Sequence, residues 1–229
     1  MKASIIFLAF LFTIVGTVST SAQPGDKPIT YASSKDADPQ AKALLKQVKD
    51  QLKLDKGVVI NFQFTYDPAE AAPSTQKGVV QLKNTSFRLT LQDQEISSDG
   101  KTLWTYLKKR NEVQINDAAE IQNDPLSPYR LIQIHDSPDF TYVTAGTSKV
   151  NGVLCDVIDF KPMDKNAEFF KIKAEIDRAK KQYKTISLYL KNGDQYTLSL
   201  SSQVNQNFAD NTFEWNAAKY PGVKVEDLR

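Results

Sequence analysis

Cysteine occurs once in the 229 residues, at Cys155, and histidine once, at His135. A single thiol excludes an internal disulfide framework. Its apolar strand setting predicts a buried, unreactive side chain. One His and one Cys cannot assemble the nitrogen and sulfur ligand sets of structural or catalytic metal sites, so no metal is expected. Charge of one sign is also lacking: 29 Lys and Arg stand against 27 Asp and Glu, for a formal net charge of +2. That balance supplies no field to hold nucleic acid, and no nucleic-acid partner is expected. Lys108-Lys109-Arg110 and Lys180-Lys181 read as solvated turns beside strands. G-x-S-x-G, P-loop and dinucleotide-binding fingerprints are missing. The chain is therefore expected to be no enzyme and to need no cofactor.

The first 22 residues carry the pattern of a secretory signal peptide. Lys2 is the positive start, Ile5 to Val15 the short apolar middle, and Thr20-Ser21-Ala22 the small-residue end. The run is too short for a membrane anchor. Cleavage near Ala22 predicts export across the inner membrane and leaves about 207 of the 229 residues, enough for one sizeable core. No Cys follows the apolar run, so no N-terminal lipid anchor is expected. Residues 23–37 are polar, with Pro24, Gly25 and Pro28, and read as a flexible linker. A single domain is expected over 38–229.

Asp38-Pro39 reads as a helix start, a capping carboxylate followed by a Pro suited to the first turn. Ala41, Leu44, Leu45, Val48 and Leu52 follow on one helical stripe, and Gly57 is a plausible stop. Strand patterns dominate thereafter. Val58, Ile60, Phe62, Phe64 and Tyr66 alternate with Asn61, Gln63 and Thr65, predicting one apolar and one wet face. Val80 and Leu82, then Phe87, Leu89 and Leu91, continue the pattern. Asp99-Gly100 predicts a tight hairpin turn. Trp104 and Tyr106 follow it two residues apart, so their rings share a face, which is assigned to the apolar one. Further strands are expected over 139–144, 150–160, 169–176, 185–190 and 195–201, with Asn151-Gly152 and Asn192-Gly193 as turns. The count is one helix, then ten or eleven antiparallel strands with a short helical insertion around 127–132, an α+β layer arrangement. A helix of roughly 18 residues is about 27 Å long and covers only part of such a sheet.

The wording of several segments is more specific. Ser98 to Tyr106 reads S-D-G-K-T-L-W-x-Y and is followed by Val113-Gln114-Ile115. Phe62-Gln63-Phe64, Gly78 to Leu82, Phe87-Arg88-Leu89, Phe213-Glu214-Trp215 and Pro221 to Asp227 complete an ordered set. Together they resemble the LolA family of periplasmic lipoprotein carriers. The resemblance implies an unclosed half-barrel whose helices form a lid over an apolar concave face. It implies that lipoprotein acyl chains bind there and travel from the inner to the outer membrane. The lining expected on this basis is Leu45, Val48 and Leu52 from the helix, Ile60, Phe62, Phe64, Val80 and Leu82 from the first strands, and Phe87, Leu89, Leu91, Trp104 and Tyr106 beyond them. The implied partners are an inner-membrane ABC transporter that releases lipoproteins and an outer-membrane acceptor protein or membrane, with the carrier itself a monomer. Family members hold the lid shut with an Arg from an Arg-Pro pair, which is missing here. Lys83 or Arg88 is expected to serve as the latch instead. The same fold resembles regulatory modules that sense lipids or lipoproteins and bind a protein partner, and that alternative stays open. An enzyme with an unrecognised site is the least favoured reading.

Overall fold

A computed structural model describes residues 38–122 and 127–229. The expected signal peptide and linker lie outside these residues. Helix α1 (Pro39–Leu52) starts where the sequence predicts: the Asp38 side chain accepts a hydrogen bond from the Gln40 N–H at 2.8 Å. It ends earlier than expected. Lys53 adopts the left-handed conformation (φ 45°) and closes the helix, so α1 has 14 residues and not about 18. Gly57 does not stop the helix. It has φ +123°, and a Cβ there would come within 2.5 Å of the Phe208 ring, so it is the close-approach point from which the first strand departs.

Among the described residues twelve strands follow: β1 (Val58–Asp67), β2 (Ser74–Lys83), β3 (Ser86–Thr90), β4 (Gln94–Ser98), β5 (Thr102–Leu107), β6 (Glu112–Asp117), β7 (Phe140–Val150), β8 (Val153–Pro162), β9 (Phe169–Asp177), β10 (Gln182–Leu190), β11 (Gln195–Asn205) and β12 (Lys224–Asp227). They form one sheet in the order β12-β6-β5-β4-β3-β2-β1-β11-β10-β9-β8-β7. Its two edges do not pair with each other, so the sheet is unclosed, as expected. The pairings are antiparallel except for β12 beside β6, which is parallel. That twelfth strand exceeds the expected count because its four residues are mostly exposed and carry no strand periodicity. Between β6 and β7 run α2 (Ala119–Gln122), α3 (Pro128–Ile132) and a 3-10 turn at Ile134–Asp136. The Ser127 hydroxyl caps α3 by accepting from the Arg130 N–H at 3.2 Å.

Directly paired residues share a face. One row runs Phe64, Leu198, Ile186, Ala174 and Ile158 across β1 and β11 to β8. Another runs Ile60, Val80, Leu89 and Ile96 across β1 to β4. Both rows belong to one apolar cluster with Ala41, Leu45, Val48 and Leu52 of α1, which defines the inner face. Burying each such large side chain contributes roughly 1.5–3 kcal/mol, so this one-sided layer of helix on sheet carries most of the stabilisation. Gly78 sits opposite Phe62 in the register. A Cβ there would come within 2.5 Å of the Phe62 ring and 2.7 Å of Leu91, so its missing side chain makes room for the ring.

Candidate functional site

The inner face is apolar across its central strands, turns polar at β6, where Asn116 and Gln114 pair with Leu103 and Thr105, and is covered by helices. Ile60, Phe62, Val80, Leu82 and Phe87 are all at most 3 % exposed. These positions are therefore closed over by the cover's own side chains. Tyr129, Leu131, Ile132 and Ile134 enter the same cluster from α3 and the following turn, and the Tyr129 ring lies 4.9 Å from that of Phe87. Toward the end of the sheet where β1 closes and β11 begins, burial is incomplete. Phe64, Tyr66 and Tyr196 are half-buried there. Tyr196 stacks on both neighbours, at 5.6 Å from Phe64 and 4.8 Å from Tyr66.

Asp194 organises this open end. Its carboxylate accepts from the Tyr66 hydroxyl at 2.9 Å, the Ala69 N–H at 3.0 Å and the Asn192 amide at 3.0 Å. Burial and the neighbouring Asp194 push the Tyr66 phenol up to about 12. The ring therefore stays neutral and presents an apolar surface at neutral pH.

Leu45, Val48, Leu52, Ile60, Phe62, Val80, Leu82, Phe87, Leu89 and Leu91 all lie in the inner cluster, and Phe64 packs at its margin. Trp104 and Tyr106 do not. Ser98 pairs with Leu103, so residues 99–102 form a longer connection than the tight turn expected at Asp99-Gly100. The Asp99 side chain holds it by accepting from the Lys101 and Thr102 N–H groups, each at 2.8 Å. Two residues or four, the connection is even, so Leu103 and Thr105 fall on the face of Ile96 in either case, and the assignment of Trp104 and Tyr106 to the apolar face is corrected. Leu103 and Thr105 face inward, while Trp104 and Tyr106 pair with Ile115 and Val113 on the outer face.

Lys83 and Arg88 are also outer-face residues, on the side of the sheet away from the cover. The Lys83 ammonium donates to the Phe208 carbonyl at 2.8 Å. Arg88 donates to the Glu214 carbonyl at 3.4 Å and lies 3.5 Å from the Glu95 carboxylate. Both hold a C-terminal strap, residues 206–223, across the outer face. The strap adds its own rings: Trp215 stacks on Tyr220 at 4.1 Å, and Tyr106 lies 4.4 Å from Tyr220. The Tyr220 hydroxyl donates to Glu95 at 2.8 Å. A polar groove of about 620 Å³, lined by Arg88, Asn211, Glu214, Trp215 and Lys219, opens beside the strap. It lies on the opposite side of the sheet from the apolar face. In sequence the strap was visible only as the closing motif Phe213-Glu214-Trp215, which does not reveal the face it crosses.

Cys155 is buried as expected, with its thiol pushed up by burial. Asp156, which shows no partner in sequence, binds Arg178 at 2.5 Å and Lys181 at 3.8 Å.

The family described as outer membrane lipoprotein carrier protein LolA matches residues 37–194. The chain belongs to the LolA family. The LolA-family match ends before the strap. The outer-membrane lipoprotein carrier protein of Pasteurella multocida is 28% identical over 158 residues, covering 66% of this chain and 71% of that protein. Among solved structures, an uncharacterized conserved protein from Thermus thermophilus superposes with a TM-score of 0.56 at 12% identity, covering 82% of this chain and 99% of that one. A putative outer membrane lipoprotein-sorting protein domain from Vibrio parahaemolyticus gives a TM-score of 0.46 at 13% identity, covering 79% and 97%. The first of these shows a shared overall fold and no more.

Proposed function

We propose that the protein is a periplasmic lipoprotein carrier that shelters acyl chains against the inner face of its sheet. The observation that carries this reading is the nature of the cover. Apart from its half-buried end, the inner face is covered by α1, α3 and the following turn, elements that can move apart without breaking strand pairing. Exchange is also energetically balanced. Four cover side chains, Tyr129, Leu131, Ile132 and Ile134, contribute roughly 6–12 kcal/mol by burial. An acyl chain of about 16 carbons gains on the order of 10 kcal/mol in the same place. Terms of equal size let cargo displace the cover at a donor and the cover displace cargo at an acceptor. Binding and release then need no energy source within the carrier. Phe64, Tyr66 and Tyr196 at the half-buried end are the proposed entry. Residues 1–22 would direct export, and residues 23–37 would link the leader to the domain. An inner-membrane ABC transporter and an outer-membrane acceptor would be the partners of a monomeric carrier. The second reading is a sensor that binds a protein partner, and the polar groove beside the strap favours it, because a protein docking there would leave the inner face closed.

Mass spectrometry of material co-purified with the protein from the periplasm tests the proposal. Acylated N-terminal peptides are expected. A single soluble protein in their place would support the sensor and contradict the carrier.

A further inference from the structure

We propose that Asp38 is the clasp of the cover: it fastens the N-terminal end of α1 to edge strand β7, and the strength of that fastening sets how readily an acyl chain reaches the inner face. The acyl part of this inference rests on the carrier reading above. One Asp38 carboxylate oxygen accepts from the Gln40 N–H at 2.8 Å and caps the helix. The other accepts from the Thr144 N–H at 3.0 Å and also from the Thr144 hydroxyl. The Asp38 N–H donates to the Tyr142 carbonyl at 3.1 Å. One residue thus begins a helix and docks on β7, the last strand of the sheet among the described residues. The docking point coincides with an irregularity: the β7–β8 register shifts between Thr144 and Thr147, and Gly146 has φ +88°.

The other end of α1 is held differently. The chain turns at Lys53 and enters β1, the Leu54 carbonyl accepts from the Asn84 N–H at 2.8 Å, and the Gln51 carbonyl accepts from the Gln203 amide at 3.2 Å. Between the two ends the buried contacts are apolar: Ala41, Leu45, Val48 and Leu52. An alkyl chain can replace apolar contacts with little loss. It cannot replace a carboxylate that accepts from backbone N–H groups, so the clasp biases the cover toward closure whatever the cargo. Apparent affinity scales with the fraction of molecules that are open. The favourable N–H bonds, Thr144 first, also hold the Asp38 carboxyl below its usual range, as expected of a carboxylate engaged in this way.

Asp38→Ser separates the clasp from the cap, because Ser caps a helix as well as Asp does but is too short to reach Thr144. Thr144→Val removes the hydroxyl and leaves the cap intact. With a fluorescent 16-carbon fatty acid as probe, D38S should bind about tenfold tighter than the parent, the loss of one or two hydrogen bonds. T144V should bind severalfold tighter. The double variant should match D38S, because both act on one contact. Unchanged affinity in a folded D38S would overturn the clasp. Hydrogen exchange of the α1 amides gives a readout that needs no cargo: both variants should exchange severalfold faster. Faster exchange without fatty-acid binding in any variant would keep the clasp and remove the carrier reading. Parent-like exchange would remove the clasp.

Discussion

Replacing Phe64 by Glu puts a carboxylate at the half-buried end of the inner face. Phe64 pairs with Leu198 and Gln76 and stacks on Tyr196 at 5.6 Å. Because the site is only half-buried, the charge can turn toward water, and the free protein should lose about 2 kcal/mol or less from the missing ring contacts. A bound acyl chain is affected more. It must either bury the charge or give up the methylenes that would lie over residue 64. Avoiding about four methylenes costs roughly 3 kcal/mol, or about a hundredfold in affinity. Titration with a fluorescent fatty acid reads the affinity, and thermal unfolding reads the stability. A folded F64E that binds the probe as tightly as the parent would refute the placement of the acyl path.

Leu89→Glu, deep in the cluster at 4 % exposure, should abolish binding and unfold the domain at lower temperature, since a buried unpaired charge is costly; circular dichroism melts check it. Tyr106→Ala should leave fatty-acid affinity unchanged and lower stability by about 2 kcal/mol, because its ring packs on the strap; lost binding in a folded variant would restore Tyr106 to the acyl path. Gly78→Val should cost roughly 1–3 kcal/mol by overpacking against Phe62 and Leu91, measured by denaturant unfolding. Folding raises the Tyr66 and Tyr220 phenols from 10.0 to about 12. Their neutral forms therefore stabilise the fold fully below pH 10, and that stability is lost as pH rises through 12; tyrosinate absorbance should show both phenols among the late-titrating groups, and Tyr66→Phe and Tyr220→Phe should each remove one.

The parts of the architecture that depend on local chemistry were legible in sequence. Asp38-Pro39 marks a capped helix start, and the alternation from Val58 to Tyr66 marks a strand with one apolar face. The inner assignment of Phe62, Val80 and Leu89 follows from that alternation. The face of Trp104 and Tyr106 was legible but misassigned: an even connection after Ser98, of two residues or four, sets Leu103 and Thr105 on the face of Ile96 and turns the two rings outward. The end of α1 was missed because Lys53 takes the left-handed conformation that the sequence led one to expect at Gly57. The roles of Lys83 and Arg88 were invisible because the carbonyls they reach, those of Phe208 and Glu214, lie more than a hundred residues away. The Asp38 clasp was half legible. Its capping role is local, whereas Thr144 reaches it only through the fold.

The most direct test is photo-crosslinking with a lipopeptide whose acyl chain carries a diazirine. The account predicts adducts on Phe64, Leu89, Ile186 and Tyr196, all on one side of the sheet. Adducts concentrated on Trp104, Tyr106 or the strap would contradict it.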